Sequence, residues 1–363
     1  MSKIVCAVTN DLSYDQRMIR ICTSLQKAGY EVTLVGREKK SSKPLSPQIF
    51  AQKRLKLFFE KGKLFYIEYN FRLFFYLLLK KSDVINSVDL DTLSACFLAA
   101  KLKRRLLVFD AHEYFTELPE VVDRPFTRNV WKFVADWLIP KSDAAYTVNQ
   151  SLAGIFSENY GLNFHIIRNV PVFKNQPVSR ANFESKILLY QGVLNEGRGL
   201  EEMIEAMKYL PDFQLWLVGE GDLSAFLRAM TQRLNLENQV KFLGHIAPDA
   251  LHKITEQAFL GLNLLKNKGL NYYLSLANKA FDYVQAGVPS LQMDFPEYKI
   301  LNTEKEVFLL LKNLEPQEIA REILNLSADA ERYFRLQKNC EAAAALWCWE
   351  KEEGKLVHIY QTL

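Results

Sequence analysis

Leu274-Ser275-Leu276-Ala277-Asn278-Lys279-Ala280-Phe281-Asp282-Tyr283-Val284-Gln285-Ala286-Gly287-Val288-Pro289 reads as a loop, a helix and the approach to a strand. The loop ends near Asn278. Ala280, Phe281 and Val284 then recur at helical spacing. Gly287 stops the helix and Pro289 lies just beyond, the usual order past a helix C-terminus. Ser290–Met293 follows as a short strand. A lysine in the first turn of a helix suits an anion, because unpaired N–H groups and the helix dipole point the same way. Asp282, one turn on, is placed to accept hydrogen bonds from the hydroxyls of a sugar or ribose.

The same alternation extends in both directions. Toward the N-terminus, strands are predicted at Lys186–Tyr190, Phe213–Val218, Val240–Leu243 and Leu260–Leu264, with helices at Leu200–Met207, Asp222–Leu234 and Pro248–Glu256. Before them the rhythm breaks around Val170, where Pro171, Pro177 and the polar run Ser179–Ser185 read as a linker. The first half repeats the pattern. Strands are expected at Lys3–Val8, Glu31–Val35, Val84–Asn86, Leu106–Asp110 and Ala144–Thr147. Helices are expected at Gln16–Ala28, Leu90–Lys101, Thr127–Ile139 and Gln150–Tyr160. From Pro316 the tail reads as helical to the end. Strand–helix alternation implies parallel sheets covered on both faces. With 363 residues, more than one core is expected. The chain therefore reads as two α/β domains of similar size facing a cleft, residues 1–175 and 183–345, with 346–363 as a terminal helix. Ligands of such sheets sit beyond the carboxyl ends of the strands.

Composition narrows the class. Apolar residues make up 49% and charged residues 24% of the chain, as in an ordinary globular protein. The net charge of +4 is too small to indicate nucleic acid, and no nucleic-acid motif is present. Met1-Ser2-Lys3 runs directly into an apolar strand without a signal-peptide pattern. Cys6, Cys22, Cys96, Cys340 and Cys348 are scattered and odd in number, which predicts reduced thiols in a cytosolic protein. The histidines are dispersed, so no metal site is expected. The run Leu73–Leu79 is far short of the roughly 20 apolar residues a membrane span needs.

Two glycine-containing turns accompany the opening stretch. Tyr190-Gln191-Gly192-Val193-Leu194-Asn195-Glu196-Gly197-Arg198-Gly199 follows a strand and opens a helix. Gly192 would let a ligand approach the backbone, and Arg198 could grip a phosphate bidentately; the plain alternative is a turn with a solvated arginine. Gly219-Glu220-Gly221 also follows a strand and resembles the start of a dinucleotide fingerprint. Ser224 stands where the third glycine belongs, which argues against a nicotinamide site. Gly219 and Gly221 would still let a ligand lie on the backbone.

In the first half, His112 in Phe109-Asp110-Ala111-His112-Glu113 lies where a strand ends. It reads either as a ligand contact or as a hydrogen-bonded structural residue. Asp89 and Asp91 most simply cap the following helix, with an acceptor contact as the second reading. Asn10 and Asp11 are turn residues or acceptor contacts. Residues 53–81 have the most unusual composition. Lys53, Arg54, Lys56, Lys61, Lys63, Arg72, Lys80 and Lys81 interleave with nine aromatic residues, opposed only by Glu60 and Glu68. That mixture suits an anionic membrane surface or a core helix with a solvated basic face.

Together these segments resemble the retaining GT-B glycosyltransferases of family four (glycosyl transferases group 1), over nearly the whole chain. Gly192 with Glu196-Gly197-Arg198-Gly199 resembles the family's phosphate loop, and Leu217-Val218-Gly219-Glu220-Gly221 its strand end. Val240-Lys241-Phe242-Leu243-Gly244, with Pro248-Asp249-Ala250-Leu251, resembles the segment bordering the nucleotide base, and Ser275–Pro289 resembles the donor-sugar motif. Asp110–Glu117 and Val148–Ser151 resemble segments of bacterial members. The resemblance implies that Arg198 and Lys279 hold the donor diphosphate and that Asp282 binds the ribose. It implies further that amides near Ser275–Asn278 hold the sugar, that Leu243 lies by the base, and that His112 approaches the sugar from the other domain. Asn10, Asp11 and Asp89 would lie on the acceptor side.

By the same resemblance, no metal or other cofactor is required and UDP or GDP carries the donor sugar. The acceptor would be a polysaccharide, glycolipid or lipid-linked saccharide, and the final helix would cross back to the first domain. The expected place of action is cytoplasmic, peripheral at the inner membrane face, without a nucleic-acid partner. Three positions depart from the family pattern. Leu274 stands where its first acid belongs, Val193 replaces an arginine after Gly192, and Ala277 replaces the proline before Asn278. Leu274 and Val193 favour the alternative of a silent partner subunit, and a nucleotide-sugar epimerase on the same fold is a further one.

Overall fold

The computed structural model describes residues 1–13, 15–174 and 180–363; Pro177 and Ser179 of the expected linker lie outside them. The chain forms two compact units. One comprises Met1–Asn169 with Lys351–Leu363, the other Val170–Glu350.

The first unit is built on seven parallel strands: β1 Lys3–Ala7, β2 Glu31–Glu38, β3 Ala51–Lys56, β4 Val84–Val88, β5 Leu106–Ala111, β6 Ala144–Thr147 and β7 Phe164–Ile166. Their order is β3-β2-β1-β4-β5-β6-β7. The chain turns left from β1 to β2 and runs right from β3 to β7. Right-handed crossovers therefore place the helices Gly62–Leu79, Leu90–Lys103, Pro125–Leu138 and Gln150–Tyr160 on one face and Gln16–Lys27 on the other. Residues 351–363 pack beside Gln16–Lys27. Ser24 Oγ donates to Glu353 Oε2 (2.6 Å), and Tyr30 and Tyr360 meet edge to face.

The second unit has six parallel strands: β8 Ile187–Gln191, β9 Gln214–Val218, β10 Val240–Gly244, β11 Leu260–Asn263, β12 Ser290–Met293 and β13 Phe308–Leu311. The order is β10-β9-β8-β11-β12-β13. The strands are near-continuous apolar runs because both faces are covered, as in other wound parallel sheets. The helical tail is broken twice into Pro316–Ser327, Ala330–Leu346 and Trp349–Gln361. Asp329 makes the first break by accepting from Arg332 N.

Three strands stand where the sequence reading places none. β3 (Ala-Gln-Lys-Arg-Leu-Lys) and β7 are sheet edges, and lysines and arginines on an edge strand hide its pattern while discouraging edge pairing. β13, Phe308-Leu-Leu-Leu311, is too short an apolar run for period to separate strand from helix. All five cysteines are buried free thiols.

Candidate functional site

In the second unit the turns after β8 and β9 meet at the carboxyl edge of the sheet. Gly192 N–H donates to Val218 O (2.9 Å), and Gly219 N–H to Gly244 O (2.8 Å). Gly219 has φ +126°, and a Cβ there would lie 2.0 Å from Gly192 O. At Gly221 a Cβ would lie 2.4 Å from Asn195 Oδ1 and 2.5 Å from Leu194 O. Gly219 and Gly221 are glycines because neighbouring backbone occupies their side-chain space, so they shape the turn above them. Gly192 differs. Its φ is +138°, and a Cβ there would meet Lys279 Nζ at 3.1 Å.

Lys279 is carried on the helix Asn278–Gln285, whose N-cap Ala277 offers no side-chain cap to the first turn. Its ammonium lies 3.8 Å from the Tyr190 ring centroid, a cation–π contact. Burial, reinforced by the nearby Arg198, holds its pKa well below the usual lysine range despite Asp282. Arg198 stacks over Tyr272 (5.4 Å), and its Nε is buried without a hydrogen-bond partner. The neighbouring cations are compensated: Lys266 pairs with Glu202 (2.8 Å) and Lys268 with Glu196. Among the described residues, no carboxylate forms a salt bridge with Arg198 or Lys279. Two adjacent basic groups without a salt-bridged carboxylate among the described residues, one with an orphaned N–H, fit an anion of high charge density.

Asp282 Oδ2 accepts from Gln191 Nε2 (3.1 Å), and Gln191 Oε1 accepts from the Thr255 hydroxyl (2.9 Å). The run Ser275–Asn278 is partly committed. Ser275 N–H and Oγ–H donate to Tyr272 O, and Ala277 N–H donates to Tyr298 Oη. Of the amides near Ser275–Asn278 expected to hold the sugar, those of Ser275 and Ala277 are engaged within the protein. Leu243 packs half-buried near Val218. Leu274 is buried at 6% exposure, so no polar group stands in its place, while Val193 is exposed. The sequence reading missed Tyr190, Gln191 and Tyr272. Tyr190 and Gln191 were legible only as strand residues, and Tyr272 acquires its role from a fold-back of the loop after β11.

In the first unit the strand ends gather a second cluster. Arg17, 4% exposed, donates from Nε to His112 Nε2 (2.9 Å), from Nη2 to Asp110 Oδ1 (3.1 Å) and from Nη1 to Ile167 O (2.9 Å). His112 Nε2 also lies 2.9 Å from Asp110 Oδ2. That nitrogen donates to Asp110 when protonated and accepts from Arg17 when not. Burial opposes charge on His112, but Asp110 outweighs it and the ring's pKa is raised. Burial likewise opposes Asp110 ionisation, and Arg17 and His112 reverse that, holding its carboxyl below the usual range. Arg17 carried no motif, so it was not among the candidates.

Asp89 does not cap the helix that follows, whereas Asp91 accepts from its own backbone N–H in the first turn. Asp89 makes no cap hydrogen bond; its Oδ1 accepts from His112 N (2.8 Å) across 23 residues. Asp91 takes the Thr9 hydroxyl (2.6 Å). Burial pushes Asp89 up to about 8 and Asp91 up to about 6. Asn10 and Asp11 form consecutive Asx turns, accepting from Leu12 N (2.9 Å) and Ser13 N (3.1 Å). The turn alternative is therefore what their side chains do.

Asp89 gives a test of this cluster. An acid whose folded pKa is raised binds an extra proton when folded, so its effect on stability worsens as pH rises from its unfolded value near 4 to about 8. Asp89→Asn keeps the acceptor for His112 N and tolerates the positive φ of 55°. It should gain little at pH 4 and progressively more stability relative to the parent as pH rises toward 8, read from chemical denaturation. A gain that does not change with pH would contradict the assignment; His112, Asp91 and Glu113 are the charges facing this carboxyl.

Comparisons with known proteins cover almost the entire chain. The family model for glycosyl transferases group 1 matches residues 172–343, and that for glycosyltransferase family 4 matches residues 16–171. Among solved structures, Anabaena HepE in complex with UDP and glucose is 15% identical with TM-score 0.79, covering 100% of both chains. Sucrose-phosphate synthase from Thermosynechococcus elongatus is 18% identical with TM-score 0.79, covering 100% of this chain and 99% of its own. WaaG, a glycosyltransferase involved in lipopolysaccharide biosynthesis, is 13% identical with TM-score 0.74, covering 98% and 99%. At these identities the likeness is one of fold. No curated protein sequence matches the chain.

Proposed function

We propose, from the premise that this chain belongs to the group 1 glycosyltransferases of the GT-B fold, that it moves a sugar from UDP or GDP to a carbohydrate or lipid-linked acceptor, with retention and without a metal. The observation that carries this reading is the adjacent pair Arg198 and Lys279, the lysine beside Gly192, with no carboxylate in a salt bridge to either among the described residues. The donor diphosphate would supply the missing negative charge, and the ribose hydroxyls would hydrogen-bond to Asp282. As the bond from the anomeric carbon to the diphosphate oxygen breaks, Lys279 and Arg198 would stabilise the charge left on phosphate, the work a metal does elsewhere. A departing phosphate oxygen would take the proton of the acceptor hydroxyl as that hydroxyl attacks the same face. This accounts for retention without a second carboxylate.

HepE was solved with UDP and glucose, which supports a UDP-sugar donor here. His112 would act on the transferred sugar, and Asn10, Asp11 and Asp89, beyond the turns that the first two form, would lie on the acceptor side. The five buried free thiols support a cytosolic setting. The basic aromatic stretch 53–81 supports work at a membrane surface, and no helix among the described residues is long and apolar enough to cross a membrane.

The test is a thermal-shift screen against UDP, GDP, ADP and their sugars, with magnesium or with EDTA. One nucleotide should raise stability by about 2.7 kcal/mol at a hundredfold excess over its Kd, equally in EDTA. No shift with any nucleotide would overturn the donor site, and a shift abolished by EDTA would overturn metal independence. Conversion of the donor sugar to its epimer without acceptor would replace transfer with epimerisation.

A further inference from the structure

We propose that the outer layer of the first unit, formed by the helices Gly62–Leu79, Leu90–Lys103 and Pro125–Leu138, docks on an anionic lipid bilayer. The inference rests on the membrane reading above and adds a helix outside the basic aromatic stretch. In Gly62–Leu79 the inward face is core: Phe65, Tyr69, Leu73 and Leu77 are buried. The opposite face is also apolar, with Leu64, Ile67, Phe71 and Phe75 exposed at helical spacing and Phe71 at 64%. A helix apolar on all sides is normally buried on all sides; this one is bare on its outer face. The alternative of a core helix with a solvated basic face therefore holds only for the inward half.

Pro125–Leu138 repeats the arrangement. Ala135 and Leu138 face inward, while Phe126, Val130, Phe133 and Trp137 (i, i+4, i+7, i+11) form one exposed stripe. Leu90–Lys103 lies between the two helices and exposes Leu98 and Leu102. The three helices share one side of the sheet, so the stripes lie in one layer. Scattered exposed apolar residues are common, but continuous stripes on adjacent helices mark an interaction surface.

Charge selects the partner. Lys63 Nζ lies 5.2 Å from the Phe126 ring, Lys141 Nζ 4.0 Å from the Trp137 ring, and the Arg72 guanidinium 5.1 Å from Phe58. The acids nearby are engaged. Glu68 accepts from Phe58 N, Phe59 N and Arg72, and Asp136 pairs with Lys132. Arg54 does not contribute to this face, since its guanidinium is spent on Asp11 O, Lys43 O and Ser13 Oγ. Aromatic rings with ammonium groups at their flanks match the boundary between acyl chains and anionic headgroups. A second copy of the chain would oppose like charges in a two-fold interface.

The test uses the full chain and sucrose-loaded vesicles of phosphatidylcholine, alone or with one third phosphatidylglycerol. The protein should sediment with the anionic vesicles and not the neutral ones. Phe133→Asp/Trp137→Asp should lower that partition about tenfold or more. The nucleotide thermal shift should survive, which shows the variant folded. Lys63→Glu/Lys141→Glu should act in the same direction without removing an aromatic ring. Absence of vesicle binding, equal binding to both vesicle types, or unchanged binding by both variants would overturn the inference. So would a parent dimer that the aspartate variant converts to monomer, which would assign the face to a second copy. The assay contains neither donor nor acceptor. Vesicle binding with no nucleotide shift would therefore refute the transferase reading and keep this one, and the converse would do the reverse.

Discussion

Lys279→Ala is expected to lower affinity for the donor nucleotide sugar by roughly tenfold to a hundredfold, the effect of losing one charge-assisted hydrogen bond of about 1.5–3 kcal/mol. The measurement is titration calorimetry with the nucleotide found in the screen. The variant should keep its fold, because burial and Arg198 already disfavour the ammonium in the unliganded protein. The sign has a pH signature. A lysine whose folded pKa is depressed costs stability in full below that folded value, and the cost fades as pH rises toward the ordinary lysine range. The stability of Lys279→Ala relative to the parent should therefore be most favourable at neutral and lower pH and should decline as pH approaches 10. Unchanged affinity in this variant would remove Lys279 from the donor site. Arg198→Ala should act in the same direction, through loss of the orphaned Nε and its neighbours.

Arg17→Met is expected to be the most destabilising change in the first unit, by about 3–5 kcal/mol, the cost of leaving a buried charge without its partner. Arg17 has its donors committed to Asp110, His112 and Ile167 O, and Asp110 is 0% exposed. Urea unfolding should show a lower midpoint at unchanged slope. Because the folded pKa of Asp110 is held low, its favourable contribution is present above its unfolded pKa and is lost as pH falls through the folded value. The deficit of Arg17→Met should accordingly shrink in acid. Arg17→Met/Asp110→Leu should recover part of the loss, since removing both members of a buried pair costs less than removing one. A deficit below about 1 kcal/mol at neutral pH would contradict the buried-pair account.

The segments legible from the chain are those whose signal is local. Ala144–Thr147 and Ser290–Met293 have the same bounds in the sequence reading and in the structure. Flanking residues mark both, Ser142-Asp143 and Asn149 around the first and the helix stop Gly287 with Pro289 before the second. The positions of Lys279 in the first turn of an uncapped helix and of Arg198 in a glycine turn were also legible, because local backbone sets both.

Other assignments depended on partners distant in the chain. Arg17 meets Asp110 across 93 residues, and Asp89 gives its oxygen to His112 N rather than to its own helix because β4 and β5 lie side by side. Gly219 is glycine because Gly192 O, on the adjacent strand turn, fills the space. The sorting of the 53–81 aromatics into core and bare surface likewise required the sheet beneath them and the helix Pro125–Leu138 beside them. Periodicity, caps and turn residues act within about a helical turn of backbone, so composition and spacing carry them. Charge pairing, close packing and the identity of an exposed face arise when strands far apart in sequence become neighbours, and one-dimensional spacing contains no record of that distance.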